Sequence, residues 1–430
     1  MKLWQKDGSV AEAVERFTTG RDREMDMLLA EHDVQGSLAH LAMLAQTGLV
    51  PAEEAELLRQ HLLEIGEEIK AGRFVLEPGV EDVHSQVELL LTRRCGDAGK
   101  KIHTGRSRND QVLTDLKLFF RQQIRELAAE VKVFFDLLQE RSEAFKDVPL
   151  PGYTHFQVAM PSSFGLWLGA YAESLVEDLY TLHGAYRVVN RNPLGSAAGY
   201  GSSFPLDRDL TTELLGFDGP HVNAIAAQMS RGKTERVVAQ ALANIAATLG
   251  KFAYDGCLYL SQNFAFIAFP DELTTGSSIM PHKKNPDVLE LVRAHCNRLL
   301  ALPNDITLMT NNLPSGYHRD FQLLKEQIFP AFQTLRECLH MLHLMLSNMQ
   351  VRRDILEDPR YRYLYTVEEV NRLVLEGLPF REAYKMVGRQ VEDGSFTLRA
   401  PLPHTHLGSI GNLGTARIRE EMEAVLGAFG

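Results

Sequence analysis

The segment of this chain richest in reactive side chains is Gly-Ser-Ser-Ile-Met-Pro-His-Lys-Lys-Asn-Pro at 276–286. Its glycine and serines open a flexible loop, and its two prolines prevent a continuous helix. Such a loop can bring a hydroxyl, backbone N–H groups, two lysines and an amide to one point. That set suits a substrate that gains negative charge during reaction. A solvated surface loop would have the same content, so the composition alone leaves both interpretations open.

A second polar segment, His-Thr-Gly-Arg-Ser-Arg-Asn-Asp-Gln at 103–111, precedes a long apolar pattern. Arg106 and Arg108 flank a serine, and Asn109 stands at the predicted start of a helix. Guanidinium groups and helix N-termini both favour carboxylates. The alternative is an ordinary capping segment, with Asn109 or Asp110 as the N-cap.

The third polar segment is Pro-Gly-Tyr-Thr-His-Phe-Gln at 151–157, where His155 follows Thr154. Histidine can exchange a proton near neutral pH. A histidine whose only task is a structural hydrogen bond in a turn is the alternative.

Metal and nucleotide chemistry have little support. Glu81/His84 and Glu337/His340 have the Glu-x-x-His spacing of di-iron helical bundles, but Glu81 follows Pro-Gly, where helix capping is expected. We therefore predict no metal. The sequence has no Gly-x-Ser-x-Gly elbow, Walker loop or dinucleotide-binding fingerprint.

Composition narrows the function classes further. The 430 residues carry a net charge of −11, which argues against general nucleic-acid binding. No run of 18 apolar residues suggests a membrane span, and the first residues lack the apolar core of a signal peptide. The four cysteines are far apart in the sequence, which is typical of a protein of the reducing cytoplasm.

Long helices must position the polar segments, because apolar residues recur every three or four positions between them. One stripe contains Phe120, Ile124, Leu127, Val131, Phe134 and Leu138. A second contains Phe164, Leu168, Tyr171, Leu175, Leu179, Leu182, Tyr186 and Val189. Further helical runs are predicted from about 230 toward Phe269, after Pro286, and from about 321 to 349, whereas strand patterns are scarce. These patterns predict an all-α bundle.

The same patterns predict three domains. Residues 1–107 form a helical N-terminal domain, 108–350 a bundle of long central helices, and 351–430 a small helical C-terminal domain. Helices this long and apolar require partners on several sides, which self-association would supply.

The three polar segments, in this order and at these helix boundaries, resemble the fumarase/aspartase superfamily and, within it, the argininosuccinate lyases. Residues 276–285 fit the superfamily pattern GSSxxPxKxN at every fixed position. The segments at 103–111 and 152–157, the Glu-Asp-Val-His at 81–84 and the Pro-Leu-Gly-Ser-Ala-Ala-Gly at 193–199 are similar to the argininosuccinate lyases in particular.

This resemblance implies a homotetramer with a core of roughly 20 helices and with active sites shared between subunits. It implies reversible β-elimination of argininosuccinate to arginine and fumarate, in arginine biosynthesis, through a carbanion whose charge spreads into a carboxylate as the aci-form. No cofactor is implied, and the small-molecule substrate and the chain's own copies are the only partners expected.

The resemblance also implies roles for individual residues. Ser277 would be the base, and it is plausible only as an alkoxide stabilised by backbone N–H groups and cations. Lys283 and Asn285 would hold the carboxylate that takes up charge, and His155, oriented by Glu290, would be the acid/base partner.

Further positions match the substrate-binding residues of the family. Those that match the succinyl carboxylate site are Arg108, Asn109 and Thr154. Those that match the site of the arginine end are Tyr317, Gln322 and Lys325. Arg231 is retained in a middle segment that is otherwise altered, and we include it among the substrate-binding residues.

The chain departs from the family pattern mainly around the leaving amine. In 223–233, Asn223 and Arg231 are retained, whereas three usual acids are replaced. The replacing residues are Ala226, Ser230 and Gly232. Asn311 stands for a usual lysine, His318-Arg319 for Asn-Lys, and Asp22 for a usual serine.

Two competing interpretations stay open. Adenylosuccinate lyase, another fumarate-releasing enzyme, would require a nucleotide-phosphate site, and the Arg-Ser-Arg-Asn-Asp segment at 106–110 argues against it. A non-catalytic structural tetramer is the second, and the joint retention of Ser277, Lys283, Asn285 and His155 argues against it.

Overall fold

A computed structural model describes residues 12–430, so the first eleven residues of the predicted N-terminal domain lie outside the described residues. Helices dominate it. The α-helices are α1 (Glu12–Thr19), α2 (Asp22–Asp26), α3 (Ala30–Gln46), α4 (Ala52–Lys70), α5 (Val83–Cys95), α6 (Arg108–Ala144), α7 (Phe164–Val189), α8 (Arg208–Leu214), α9 (Ala224–Met229), α10 (Lys233–Leu260), α11 (Asp287–Thr310), α12 (Leu324–Ser347), α13 (Thr366–Leu375), α14 (Phe380–Glu392) and α15 (Thr415–Gly427). Short 3-10 helices cover Met27–Leu29, Gly96–His103, Asp271–Leu273, Arg319–Leu323, Ile355–Glu357 and Pro359–Tyr361.

The long helices form where the apolar spacing predicts them. Every residue of the two predicted stripes is buried, on α6 and on α7 respectively. The all-α fold class is therefore confirmed. None of the described helices is both long and apolar enough to cross a membrane.

The chain divides into two compact units that are each built from three stretches. The first contains Met1–Leu127, Thr181–Asn244 and Arg298–Thr334. The second contains Ala128–Tyr180, Ile245–Asn297 and Leu335–Gly430. The division into domains at 107 and 350 stays a prediction.

Aromatic packing joins α6 to α12 within the first unit. The ring centroids of Phe119 and Phe329 lie 4.3 Å apart, and Phe120 stacks on Phe332 at 6.2 Å. Aromatic pairs at these separations add to the stabilisation that burial alone provides. The start of α12, which carries Lys325, is thereby held against α6, whose first residues are Arg108 and Asn109.

Within the second unit, α7 and α10 pack through a half-buried carboxylate that aromatic rings surround. Trp167 stacks on Phe252 with centroids 5.4 Å apart. Asp255 accepts hydrogen bonds from the indole of Trp167 at 3.0 Å and from the hydroxyl of Tyr171 at 2.6 Å. Because this carboxylate accepts two hydrogen bonds, its partial burial costs little.

The sequence pattern predicted no strand around polar residues 151–157, and this proved wrong. They belong to an antiparallel hairpin of β1 (Pro149–Thr154) and β2 (Gln157–Ser163). Its two turn residues, His155 and Phe156, have φ angles of 52° and 58°. A two-residue hairpin turn with both φ angles positive usually contains Asn or Gly, and neither occurs here, so the pattern gave no hairpin signal.

The predicted extension of the third helical run toward Phe269 was also wrong, because α10 ends at Leu260. The apolar residues beyond it are buried in another way. Phe266 is 1% exposed, and β3 (Ile267–Ala268) pairs antiparallel with β4 (Gln350–Val351). A short apolar run cannot by its periodicity distinguish a buried strand from a helix.

Two glycines of α7 give a paired test of packing. A Cβ on Gly165 would lie 2.4 Å from the carbonyl oxygen of Ser142 and 2.6 Å from Cα of Lys146, so Gly165→Ala must displace backbone. A Cβ on Gly184 would meet no described atom within 4 Å. We expect Gly165→Ala to cost about 1–3 kcal/mol and to lower the melting temperature. Gly184→Ala should leave it unchanged or raise it, because alanine favours the helix by up to about 1 kcal/mol. Equal melting temperatures for the two variants would contradict the close approach at Gly165.

Candidate active site

A cavity of about 260 Å³ in the first unit is lined mainly by charged side chains. Its lining residues are Asp22, Asp26, Glu81, Asp82, Arg108, Asn109, Val112, Arg231, Tyr317, Arg319, Gln322 and Lys325. Six of them are predicted substrate-binding residues from distant parts of the sequence, namely Arg108, Asn109, Arg231, Tyr317, Gln322 and Lys325. The fold therefore gathers at one place the residues predicted to bind the amine end and two of the three predicted to bind the succinyl carboxylates.

Lys325 is the most deeply buried cation of this cavity, with 3% of its surface exposed. Its ammonium group lies 2.6 Å from Asp22 Oδ1 and 3.1 Å from Asp26 Oδ1. Asp26 also accepts a hydrogen bond of 2.8 Å from the backbone N–H of Val83, at the start of α5. Burial alone would lower the pKa of Lys325, but the two carboxylates outweigh it and raise that pKa, so the lysine stays charged.

Arg108 is anchored by the segment that precedes and begins α5. Its guanidinium donates to Glu81 at 3.0 Å and to Ser85 Oγ at 2.6 Å, and lies 3.3 Å from Asp82. Asp82 is itself the N-cap of α5. The acids therefore fix the orientation of the arginine before any ligand arrives, which lowers the entropy cost of binding a carboxylate.

Two cavity residues hold the segment between α11 and α12 against the N-terminal region. Arg319 donates to the carbonyl of Thr18 at 3.0 Å, and Gln322 donates to the same carbonyl at 2.9 Å. Tyr317 has 41% of its surface exposed and is the most open of the predicted binding residues in this cavity.

Arg231 is buried, with its charge compensated from the next turn of the chain. It donates to Glu235 at 2.9 Å and to the carbonyl of Phe321 at 3.1 Å, while the other oxygen of Glu235 accepts the N–H of Gly232 at 2.7 Å. Gly232 has φ of +79°, and a Cβ there would lie 2.8 Å from Thr310. Glycine therefore suits this position, where the family pattern has an acid.

The rest of the altered segment fits the local structure as well. Asn223 is the N-cap of α9 and accepts the N–H of Ala226 at 3.0 Å. Ser230 donates to the carbonyl of Ala227 at 2.7 Å. The replaced acids are not required to fold 223–233.

The loop at 276–286 belongs to the second unit. Its base is closed by Thr275 and Asn285, whose backbones pair, and the Asn285 side chain donates to the carbonyl of Gly276 at 3.3 Å. Ser277 Oγ accepts hydrogen bonds from the backbone N–H groups of Ile279 at 3.3 Å and Met280 at 3.1 Å. Backbone donors aimed at a serine oxygen are the arrangement that stabilises negative charge on it.

The two lysines of this loop differ in their surroundings. Lys284 forms an ion pair with Asp271. Lys283 is exposed and makes no ion pair with any other described residue. Glu290, on the first turns of α11, lies 3.7 Å from Arg293. Lys283 is therefore the lysine of the pair that is available to an anionic ligand.

Thr154 and His155 are exposed at the tip of the β1–β2 hairpin, also in the second unit. Within the described residues, the His155 side chain makes no hydrogen bond or ion pair, and Glu290 pairs with Arg293 rather than with His155. Backbone with positive φ at a residue that is not glycine is uncommon and is often associated with functional sites.

Sequence reasoning did not single out Asp26, Asp82 or Arg319 as members of a ligand site. A signal existed for Asp26, because it follows Asp22 by four positions, a spacing that places two residues on one face of a helix. Arg319 was noted only as a departure from the family pattern, and Asp82 only as a neighbour of Glu81.

The first unit also contains a buried cluster of ionisable side chains. Asp33, His84 and Asp115 place ligand atoms within 4.8 Å of one another, with His84 Nδ1 2.9 Å from Asp33 and 3.5 Å from Asp115. Burial alone would lower the pKa of His84, but Asp33 and Asp115 outweigh it and raise that pKa to about 10. In this structure the three side chains form a buried ion pair, with His84 held between the two carboxylates.

Comparison with known proteins first defines the class. A protein-family model described as Lyase matches residues 9–300. The crystal structure of EDDS lyase in complex with formate has the same fold, with a TM-score of 0.78 at 21% sequence identity, covering 99% of this chain and 91% of that one. The chain is a lyase of the fumarase/aspartase superfamily.

Sequence relatives identify the family within this superfamily. The argininosuccinate lyase of Phocaeicola vulgatus is 59% identical over 428 residues, which cover 100% of this chain and 96% of the relative. The argininosuccinate lyase of Bacteroides thetaiotaomicron matches with the same identity and coverage. The chain therefore belongs to the argininosuccinate lyase family.

The ion pair of His84 predicts a pH-dependent stability. Because the folded state raises the pKa of His84 from 6.5 to about 10, the pair stabilises the protein fully below pH 6.5 and loses that contribution as the pH rises through about 10. His84→Gln should lower the unfolding free energy by about 3 kcal/mol at pH 6. Urea unfolding at pH 6 and pH 10.5 should show this deficit shrinking at the higher pH. His61→Gln, at a half-buried histidine 2.8 Å from the exposed Glu64, should cost little at either pH. A deficit for His84→Gln that does not change with pH would contradict the ion pair.

Proposed function

We propose that this chain cleaves argininosuccinate reversibly to arginine and fumarate. The observation that carries the proposal is that six residues assigned by resemblance, spread from Arg108 to Lys325, line a single charged cavity. The full-length 59% identity to argininosuccinate lyases supports the same substrate. The reaction supplies arginine biosynthesis and requires no metal or organic cofactor.

In the proposed reaction, Ser277 removes the proton next to a carboxylate of the succinyl group. A serine hydroxyl is too weak an acid to be a base unless its alkoxide is stabilised. The N–H groups of Ile279 and Met280 point at this oxygen, and Lys283 is a nearby residue of the same loop without an ion-pair partner among the described residues. This environment favours the alkoxide.

The carbanion then spreads its charge into the carboxylate, and the C–N bond breaks to release the amine. Lys283 and Asn285 hold the carboxylate as it becomes the dianionic aci-form, so they bind the transition state more tightly than the substrate. His155 serves as the acid/base partner. Glu290, which lies 3.7 Å from Arg293 within one chain, orients His155 in the assembled tetramer.

The cavity of the first unit binds the two ends of the substrate. Arg108 and Asn109, with Thr154, hold the succinyl carboxylates, and the planar guanidinium of Arg108 suits a carboxylate. The arginine end is held by the remaining cavity residues, Arg231, Tyr317, Gln322 and Lys325. The loop at 276–286 closes over the bound substrate.

We also propose a cytoplasmic homotetramer with active sites shared between subunits, in which 108–350 is the central bundle between two smaller domains. Large apolar residues exposed on the long helices support self-association. They include Val133, Tyr180, Leu291, Leu300 and Leu308. The exposed hairpin tip with Thr154 and His155 is suited to complete a site on another subunit.

The adjacent serines give a direct test of the reaction. Ultraviolet absorbance should show fumarate released from argininosuccinate and not from adenylosuccinate. Ser277→Ala should lower kcat by at least about a thousandfold, because it removes the base, while assembly stays intact. Ser278→Ala, at the exposed neighbour, is the matched control and should retain most of the activity. If the folded protein released no fumarate from either substrate, the proposed reaction would be refuted. An active Ser277→Ala variant would refute the assignment of the base.

Subunit mixing tests the shared site. His155→Asn and Ser277→Ala subunits should each be inactive alone, because each lacks one catalytic group. After denaturation and joint refolding, mixed assemblies should regain a fraction of the native activity, since some sites then receive both intact residues. Mass spectrometry should confirm the exchange, and a mixture that has exchanged and stays inactive would refute sharing between chains.

A further inference from the structure

We propose that Asp22 determines specificity for the amine end of the substrate by binding its α-ammonium group, so that the site selects a free α-amino acid. This assignment rests on the proposed function. Asp22 stands where the family pattern usually has a serine, so it adds a negative charge that the pattern does not include.

The two aspartates beside Lys325 are not equivalent. Asp26 is 2% exposed and is engaged by the Lys325 ammonium and by the N–H of Val83. The Asp22 side chain is 21% exposed toward the cavity that it lines, and within the described residues Lys325 is its only ion-pair partner. A carboxylate can accept about four hydrogen bonds, so Asp22 retains acceptor capacity for a ligand.

The charges at this end of the cavity do not balance. Asp22 and Asp26 supply two negative charges against the single positive charge of Lys325. Arg231 and the protonated His84 also act on them, but Glu235 compensates Arg231 at 2.9 Å and Asp33 compensates His84 at 2.9 Å. One negative charge is therefore in surplus. Burial raises the pKa of Asp22 in spite of Lys325, which indicates a carboxylate that a further cation would stabilise.

The geometry selects the kind of cation. An α-amino acid carries an ammonium and a carboxylate on the same carbon, so its complement is an anion beside a cation. Asp22 Oδ1 and Lys325 Nζ lie 2.6 Å apart and form such a complement. With Lys325 directed to the α-carboxylate, Asp22 lies within reach of the neighbouring ammonium. The guanidino nitrogen must instead be at the reacting carbon, at the other end of the substrate.

A binding measurement tests this without requiring turnover. Calorimetric titration would compare arginine with 5-guanidinopentanoate, which is arginine without its α-amino group. The native protein should bind arginine at least about tenfold more tightly, and Asp22→Asn should lose about tenfold for arginine and less than about twofold for the analogue. Glu24→Gln is the matched control, because Glu24 is an exposed acid of the same helix that pairs with Arg21 at 3.0 Å.

Each outcome decides the assignment. Equal losses for both ligands would mean that Asp22 only positions Lys325, and equal binding of the two ligands by the native protein, or of neither, would overturn the proposal. If Asp22→Asn fails to fold, Asp22→Ser takes its place, and the comparison of ligands on the native protein still decides. Selective binding without fumarate release from argininosuccinate would refute the proposed reaction and retain Asp22. Fumarate release from argininosuccinate without selective binding of arginine would retain the proposed reaction and refute the role of Asp22.

Discussion

The first unit is organised around the buried ammonium group of Lys325, whose charge must be compensated inside the protein. Burying an ammonium group costs several kcal/mol unless opposite charges and hydrogen bonds surround it. The compensation comes from Asp22 and Asp26 on α2 and, through Asp26, from the N–H of Val83 at the start of α5. One buried charge thus ties three distant stretches of chain together, and the cavity lies where they meet. The same residues that stabilise the fold are those available to a polar ligand.

The second unit prepares its reactive groups differently. Ser277 is supported by backbone N–H groups of its own loop, and Lys283, His155 and Thr154 are exposed. Nothing in the described residues of this unit fixes Lys283 or His155 through an ion pair. Groups that must meet a substrate during loop closure, or complete a site on another copy, have to stay accessible until then. The chain thus holds its binding residues in place through buried ion pairs and keeps its reactive residues accessible to the substrate.

The apolar repeats predicted the long helices well, because helices buried along most of their length require a continuous stripe, as on α6 and α7. They failed where an apolar run was a strand, at Ile267, and where a hairpin turn used His155 and Phe156 instead of Asn-Gly. The resemblance identified six residues of the cavity. It did not assign Asp26 or Asp82 to the ligand site, since their importance comes from contacts with residues far away in the sequence. Local sequence patterns predict which face of a helix is buried, whereas the pairing of buried charges becomes visible only in three dimensions.

The cavity brings together residues that lie far apart in the sequence and are therefore synthesised at different times. Gln322 donates to the carbonyl of Thr18 across 304 positions, and Lys325 reaches back to Asp22. On the ribosome, the N-terminal helices must wait on the order of 20 to 60 s for these partners at ordinary rates of synthesis. Throughout this interval the carboxylates of Asp22 and Asp26 have no Lys325 to balance them. The first unit can therefore mature only late in translation, and a chain released before residue 325 lacks the ion pair that closes it.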